Sequence, residues 1–312
     1  MKRFIIYTLL FIMPFILTII GTEYLLRKIP NSHMFKADDF DPKIKSTKIL
    51  ILGNSHAANA LNPQYLHKNA YNLSQGAQSL DIDCALLKKY ADQMDSLEYI
   101  IVPISYHSLW LKLSDLEYYK WMAKYNNIYF DINIETNPLK RLILMDRPIK
   151  NNLMLIKSYY WDKQPVTFNF INGFMAAPPT SDIEKTSKHG KSIAKGFTVA
   201  DLNFRYQENI KYLSDMINIA KNKQSKVIFI TIPCYSTYID NLDKKQMDKM
   251  LHTMDSIKDN KNVFYFNLLN DALKFTIDDF NNGDHLSYKG AQKVSCKIDS
   301  IIRAIENPNI DN

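Results

Sequence analysis

The sequence predicts an α/β protein in which a five-stranded parallel sheet is covered by helices on both faces. Three observations predict this class: short continuous apolar runs, amphipathic stretches between them, and a hydrophobic content large enough for a sizeable core. Of the 312 residues, 46% are hydrophobic. Strands that alternate with helices along a chain indicate βαβ units, whose strands lie side by side and parallel.

The predicted strands are short, mostly apolar and bounded by turn residues. They are Thr47–Gly53, Ala70–Ser74, Tyr99–Ile104, Lys226–Cys234 and Val263–Leu269. Apolar residues at helical spacing predict helices at Ile82–Met94, Phe204–Lys223 and Ser287–Glu306. Residues 105–203 separate strands three and four, and because structureless loops of this size are uncommon in compact domains, we expect a helical insertion there.

The first 28 residues are predicted to anchor the chain in a membrane. Phe4–Gly21 carries no charge, and this run of about 18 residues approaches the length needed to cross the hydrocarbon core. No small-x-small cleavage site follows, so we expect an uncleaved anchor rather than a signal peptide. Lys2 and Arg3 favour a cytoplasmic amino terminus, and hence a single-pass protein of the cytoplasmic membrane with an extracytoplasmic domain. The predicted segments are an anchor at 1–28, a linker at 29–46, the domain at 47–306 and a tail at 307–312.

The composition excludes several classes of function. Cys84, Cys234 and Cys296 are odd in number and far apart, which argues against a disulfide framework or a cysteine-rich metal site. The net charge of +7 comes from basic residues scattered among 32 acidic ones, so it predicts no nucleic-acid partner, although it is compatible with an anionic membrane surface. Because the sequence contains no P-loop, dinucleotide-binding or metal-ligand motif, we expect no cofactor and no metal.

Two candidate catalytic residues follow predicted strands near opposite ends of the domain. Ser55 lies in KILILGNSH, directly after strand one, where Gly53 permits a tight turn. His285 lies in DFNNGDHLSYKGA, after strand five, and Ser287 is a plausible N-cap of the last helix. Because the carboxyl ends of parallel strands share one edge of the sheet, we expect Ser55 and His285 to meet there. A serine beside a histidine base is an activated nucleophile.

These segments resemble motif blocks of the SGNH, or GDSL-type, hydrolases. ILILGNSH is similar to the first block, where a strand ends in Gly-Asp-Ser and the serine is the nucleophile; NLSQGAQSL is similar to the second block and NGDHLSYKGA to the last. The resemblance covers Thr47–Ile104 and Asp201–Ala304, and it implies a flavodoxin-like, three-layer sandwich. It also implies that Ser55 is the nucleophile, that His285 is the base, and that the backbone N–H groups of Ser55 and Gly76 bind the oxyanion.

Two positions depart from the pattern of that family. After strand three the family has Gly-x-Asn-Asp, whose Asn is an oxyanion donor, whereas this chain has PISYHSLW; Ser105 then takes the Gly position and His107 the Asn position, and either could donate a hydrogen bond. Three residues before the catalytic histidine the family has Asp, whereas this chain has Asn282. Asp284, immediately before His285, is the alternative, and the sequence leaves open which of the two completes the triad.

Asn54 and His56 flank the candidate nucleophile and are predicted to contact substrate. Asn54 stands where the family has Asp, so we also expect it to tie the turn. Adjacent side chains at a helix start diverge, and His56 is therefore expected at the rim of the site. Aromatic residues of the insertion could form a sugar-stacking wall, pack in the core or contact the membrane. They include Trp110, Tyr118, Tyr119, Trp121, Tyr159, Tyr160 and Trp161.

The resemblance implies an enzyme that acts on ester-linked acyl groups. With the predicted anchor, and with the likeness to anchored relatives that modify cell-surface glycans, it points to a serine esterase or O-acyltransferase. The expected substrate is an acylated, above all acetylated, carbohydrate of the cell envelope. One alternative is an inactive SGNH-fold scaffold or glycan-binding subunit of an envelope assembly, because Asn282 and the third block depart from the pattern. Another is a Rossmann-like domain with coincidental turns, in which Ser55 and His285 lie far apart. The sequence names no partner protein.

Overall fold

Five parallel strands form the central sheet of the protein, which we describe from a computed structural model covering residues 1–116, 119–132, 134, 137–269 and 274–307. The strands along the chain are β1 (Ile49–Ile51), β2 (Ala70–Asn72), β3 (Tyr99–Pro103), β4 (Phe170–Ile171), β5 (Phe174–Met175), β6 (Lys226–Thr231) and β7 (Val263–Asn267). The sheet has the order β2-β1-β3-β6-β7, and all its neighbouring strands are parallel. β4 and β5 form a separate antiparallel hairpin.

The α-helices of the described residues connect and cover these strands. They are α1 (Lys2–Lys28), α2 (Ser32–Phe40), α3 (Ser55–Ala60), α4 (Leu80–Tyr90), α5 (Lys120–Tyr129), α6 (Ile149–Ile156), α7 (Ile183–Gly196), α8 (Tyr206–Asn222), α9 (Ser236–Ile239), α10 (Lys244–Ile257) and α11 (Tyr288–Glu306). Each sheet strand is followed by helical structure before the next, as the alternating pattern predicts.

The two faces of the sheet carry separate hydrophobic cores, because successive side chains of a strand point in opposite directions. Leu50 packs on the face covered by α2, α4, α8 and α10, whereas Ile49 and Ile51 pack on the face covered by α3 and α11. All three side chains are fully buried. The α/β class and the five-stranded parallel sheet with helices on both sides are therefore confirmed.

Residues 29–46 fold onto the sheet, whereas the sequence predicted a linker there. They form α2 and a 3₁₀ segment, Asp41–Ser46. Phe40 is fully buried, with its ring centroid 4.6 Å from that of Tyr71 and 5.2 Å from that of Tyr90. The polar composition of the segment does not indicate this packing, because polar side chains, His33 and Lys36, are buried together with Phe40.

The insertion between β3 and β6 contains helices, as predicted, and also the β4-β5 hairpin, which the sequence did not indicate. The turn of the hairpin contacts the edge strand β2, since the backbone N–H of Asn72 donates to the carbonyl of Asn172 at 2.9 Å. α7 packs against α9, close to the carboxyl edge of the sheet. Residues 308–312 of the predicted tail lie outside the described residues.

α1 is the one helix, within the part of the chain that the structure describes, that is long and apolar enough to cross a membrane. Its side chains are exposed over most of its length, and burial begins only near Glu23 and Leu26. This N-terminal helix is therefore consistent with single-pass anchoring.

Candidate active site

The candidate nucleophile lies in a tight turn between β1 and α3. Gly53 adopts φ +113°, a region that favours glycine, and a Cβ there would lie 3.0 Å from Cδ of Pro103. The side chain of Asn54 caps α3 by accepting the backbone N–H of His56 at 3.0 Å. Ser55 is the first residue of α3 and is partly exposed. The turn thus presents one hydroxyl at the carboxyl edge of the sheet.

Ser55 and His285 are in direct hydrogen-bond contact, although 230 positions separate them. The Oγ atom of Ser55 lies 2.8 Å from Nε2 of His285. His285 stands on the loop between β7 and α11, where Ser287 caps the helix with its side chain. Ser55 and His285 therefore do not lie far apart, as they would if the two turns were coincidental. An imidazole of the kind that can act as a general base lies within reach of the hydroxyl.

Both alternatives for the third residue contact the other imidazole nitrogen. Nδ1 of His285 lies 2.9 Å from Oδ1 of Asp284 and 3.1 Å from Oδ1 of Asn282. The Asn282 oxygen also accepts the backbone N–H groups of Asp284, at 3.1 Å, and of His285, at 2.9 Å. These two hydrogen bonds to Asn282 bend the loop, and the bend allows the side chain of Asp284 to contact the adjacent His285. Asp284 alone supplies a charge at Nδ1.

Asp284 contacts two imidazoles, those of His285 and His56. No motif in the sequence indicated the second contact. The second oxygen of Asp284, Oδ2, lies 3.1 Å from Nε2 of His56. Nδ1 of His56 is 2.9 Å from Oγ of Ser105, and that hydroxyl receives the amide of Asn54 at 3.1 Å. Because a carboxylate can only accept, a neutral His56 carries its proton on Nε2 and donates it to Asp284. Nδ1 of His56 then accepts from the Ser105 hydroxyl, which in turn accepts from the side-chain amide of Asn54.

Burial and charge determine the ionisation of this network. Burial opposes the charge on Asp284, but the imidazoles of His285 and then His56 outweigh it and hold the pKa of this carboxyl well below its usual range. Burial lowers the pKa of His56, against the opposing effect of Asp284. The network therefore consists of a carboxylate, a neutral His56 and a histidine that faces Ser55.

Four predicted roles need correction, because the side chains concerned are buried and bonded within the protein. Asn54 and His56 were expected to contact substrate, but both are about 5% exposed, and the attraction of Asp284 draws His56 inward from the rim. The Ser105 hydroxyl, an expected oxyanion donor, is engaged with His56. His107, the other expected donor, packs on the ring of Phe197 at 4.1 Å and accepts from the Asn54 amide at 3.3 Å.

Two backbone N–H groups remain as candidate oxyanion donors. Ser55 stands at the start of α3, where N–H groups have no partner within the helix, and Gly76 lies in the loop after β2. Within the described residues, neither N–H donates to a protein acceptor. Met122 of α5 borders Gly76, with Sδ 3.2 Å from where a Cβ would be. These two groups are free to bind a developing negative charge.

Asp83 stabilises the turn that carries Ser55, and no pattern in the sequence indicated this role. Its Oδ1 accepts the backbone N–H of Gly53 at 2.7 Å and the side-chain amide of Gln78 at 2.7 Å. Burial raises the pKa of this carboxyl to about 7, although both hydrogen bonds oppose the shift. Asp83 lies on α4, whose sequence shows only an ordinary amphipathic pattern. The contact between Asp83 and Gly53 is therefore visible only in the folded structure.

The insertion also contributes to the site through α7. Nδ1 of His189 lies 3.5 Å from Oδ1 of Asp284, and its side chain is partly exposed. The approach depends on glycine, because a Cβ on Gly283 would collide with the backbone of Gly190. A third imidazole thus borders the site from a segment to which the sequence assigned no catalytic block.

His56, Asp284 and His285 also form a grouping of the kind that can hold a metal ion, with their ligand-type atoms within 4.8 Å of one another. The sequence predicted no such cluster. Hydrogen bonds at 2.9 and 3.1 Å join these side chains directly, and Nε2 of His285 faces Ser55. These contacts are also those of a serine-histidine-aspartate arrangement.

Among the described residues, the aromatic side chains of the insertion do not form one wall beside Ser55. Trp110 is fully buried, Trp161 is exposed on the turn that follows α6, and Tyr118 lies outside the described residues. Trp121 borders a cavity of about 650 Å³, to which neither Ser55 nor His285 contributes. Polar residues that line this cavity include Asp81, Lys112, Ser114, Lys124 and Asp146.

Buried histidines make the stability of the protein sensitive to mild acid. Burial, and then the neighbouring His56, lower the pKa of His107 from 6.5 to about 3. Between these pH values the unfolded chain binds the extra proton, so stability falls as the pH drops below 6.5, by about 1.4 kcal/mol per pH unit. His107 alone should therefore reduce the free energy of unfolding by about 2 kcal/mol between pH 7 and pH 5.

Denaturant titrations of the full chain in detergent at pH 7 and pH 5 measure this loss. We expect His107→Gln to reduce the difference between the two pH values by about 2 kcal/mol. His252→Gln is the matched control, because His252 is exposed and should leave the difference unchanged. Equal pH dependence in the two variants would contradict the assignment.

The fold and the site define a class: an α/β protein with a serine-histidine-aspartate arrangement at the carboxyl edge of its parallel sheet. No protein-family model and no curated protein matches the chain. Among solved structures, the chain is similar to a Streptococcus pneumonia protein provisionally named a platelet activating factor, with 12% identity, a TM-score of 0.42, and coverage of 89% of this chain and 94% of that one.

Proposed function

We propose that the protein is a membrane-anchored serine esterase or O-acyltransferase of the SGNH type, acting on ester-linked acyl groups, chiefly acetyl, of cell-envelope carbohydrate. The observation that carries this proposal is the 2.8 Å contact between Oγ of Ser55 and Nε2 of His285, with the carboxylate of Asp284 on the opposite imidazole nitrogen. This arrangement supports acyl transfer through a covalent intermediate.

The reaction follows from the positions of these atoms. Oγ of Ser55 attacks the ester carbonyl while Nε2 of His285 takes the hydroxyl proton, and the Asp284 carboxylate stabilises the imidazolium that forms. The N–H groups of Ser55 and Gly76 bind the oxyanion. His285 then returns its proton to the departing alcohol, which leaves an acyl group on Ser55. Attack by water makes the protein an esterase, and attack by a sugar hydroxyl makes it an acyltransferase.

The choice of substrate rests on α1 and on the resemblance to anchored SGNH enzymes that modify cell-surface glycans. The end of α1 is integrated into the domain, since Leu26 and Ile29 are buried against Ile143 and Ile156. This packing supports an anchor that stays attached. The domain then lies on the outer side of the cytoplasmic membrane, beside the carbohydrate of the envelope.

A fluorophosphonate probe tests the proposal on the full chain in detergent. We expect a single adduct that peptide mapping locates at Ser55, because only a serine with an aligned base reacts with this probe. Ser55→Ala should abolish labelling, and Ser300→Ala, which changes an exposed serine of α11, should retain it. An unlabelled wild-type chain would favour the inactive scaffold or glycan-binding subunit instead.

A further inference from the structure

A set of large apolar side chains is exposed in the part of the insertion that packs against the end of α1. Each of them is between 54% and 80% exposed, whereas exposed side chains of this kind are normally scattered singly over a soluble surface. We call them the docking surface: Leu139, Met145, Ile149, Leu153, Met154 and Trp161.

Hydrogen bonds fix this segment to α1 at the point where the apolar stretch of the helix ends. The carboxylate of Glu23 accepts the backbone N–H groups of Ile143, at 3.1 Å, and Leu144, at 2.9 Å. The hydroxyl of Tyr160 donates to the carbonyl of Leu25 at 3.0 Å. The docking surface is therefore held beside the part of α1 that enters the membrane.

The composition of the segment is that of a membrane-interface helix. On α6, Ile149, Leu153 and Met154 are exposed together with Lys150 and Asn151, whereas Asn152 and Ile156 are buried, so the exposed face combines large apolar side chains with a cation. Residues 139–163 contain six basic and two acidic residues, which favours anionic lipid headgroups. A Tyr-Tyr-Trp run at 159–161 follows, and such aromatic residues are enriched at the interface.

We propose that the docking surface is a second membrane contact, which lies in the headgroup region of an anionic bilayer beside α1. The proposal rests on the proposed function in one respect, namely that α1 crosses the membrane. The apolar side chains of the docking surface enter the boundary between headgroups and acyl chains, and the exposed Lys150 and Lys163 reach the phosphates. A protein partner would need no such excess of basic residues around the apolar side chains.

The contact determines how the active site stands above the membrane. α5 joins the two regions, since Met122 borders Gly76 and Tyr125, one turn further on, packs with Leu26 and Ile143. From Met122 to the end of α5 is two helical turns, about 10 Å. α5 therefore connects the candidate oxyanion loop to the end of α1 through packed side chains.

Depth-dependent quenching tests this contact in the full chain. Cys296→Ser removes the one exposed native thiol; Cys84 and Cys234 are buried and are therefore not expected to react with the label. Single cysteines are then placed by Leu153→Cys and, in case that variant fails to fold, by Trp161→Cys. Each carries an environment-sensitive fluorophore in vesicles of phosphatidylcholine and phosphatidylglycerol, with and without doxyl-labelled lipid.

Two further positions serve as references. Phe11→Cys reports α1 itself, and Lys261→Cys is the matched control, since Lys261 is exposed just before β7, at the sheet edge opposite Ser55. We expect doxyl lipid to reduce emission at the docking surface and at Phe11→Cys by about half or more, and at Lys261→Cys hardly at all.

The remaining outcomes distinguish a failure of the second membrane contact from a failure of the proposed function. If Phe11→Cys is quenched and the docking-surface positions behave like Lys261→Cys, the second contact is wrong and the anchor stands. A blue shift without lipid quenching would mean that a second copy or a partner protein covers the surface, which also overturns the proposal. If no position is quenched, the anchor and the contact both fail, whereas fluorophosphonate labelling judges catalysis independently.

Discussion

Ser55→Ala is expected to lower the hydrolysis of p-nitrophenyl acetate by about 10³-fold or more, to the rate that binding and the oxyanion donors sustain alone. The physical reason is that Oγ of Ser55 is the atom that His285 can activate, at 2.8 Å. Removing it leaves a base without a nucleophile, and water must then attack from solvent. The measurement is the steady-state rate of the purified full chain in detergent.

The control for this variant is Ser300→Ala, which removes an exposed hydroxyl from α11. Its rate should equal that of the wild type, and both variants should unfold at the wild-type temperature. Turnover that persists in Ser55→Ala at the wild-type level would refute the nucleophile assignment. A wild-type chain with no turnover of this ester, together with no fluorophosphonate labelling, would leave the inactive scaffold as the better account.

Asp284→Asn is expected to reduce kcat by about 10⁴-fold. Two imidazole N–H groups point at this carboxylate, from Nδ1 of His285 at 2.9 Å and from Nε2 of His56 at 3.1 Å. A carboxylate offers an acceptor to each, but an amide offers one acceptor and one donor. One imidazole must then change its tautomer. When His285 changes, its Nε2 carries the proton and can no longer accept one from Ser55.

Asn282→Ala distinguishes the two residues that contact His285. Asn282 bends the loop through two backbone N–H groups but brings no charge, so we expect its loss to reduce kcat by only about tenfold. Thermal unfolding of both variants checks that the loop remains folded. A larger loss in Asn282→Ala than in Asp284→Asn would transfer the orienting role to Asn282.

The position of the candidate catalytic pair, Ser55 and His285, could be predicted from the sequence because it depends on local and topological rules. Continuous apolar runs between turn residues indicated the five strands, and Ser55 and His285 each follow one of them. Since parallel strands end at a common edge, two residues 230 positions apart were expected to meet. The membrane-spanning character of α1 could likewise be predicted from the length of its hydrophobic run and the absence of charge within it.

The roles of the neighbouring side chains could not be predicted in this way. Whether His56 faces solvent or Asp284 depends on a loop from the far end of the chain, and adjacent positions in the sequence suggested only that side chains diverge. The same holds for Phe40, whose burial depends on the rings of Tyr71 and Tyr90 rather than on its polar neighbours. Asp83 and His189 reach the site from α4 and α7 without any local motif.

By itself, the sequence determined the α/β class, the edge of the sheet where the candidate site lies, and the serine and histidine that lie there. Short-range propensity and the common direction of parallel strands are sufficient for these features. Only the tertiary structure decided that Asp284 serves two imidazoles, that Ser105 and His107 support the turn, and that the insertion packs against the end of α1. Burial and hydrogen-bond direction depend on which distant segments come into contact, and no local pattern contains that information.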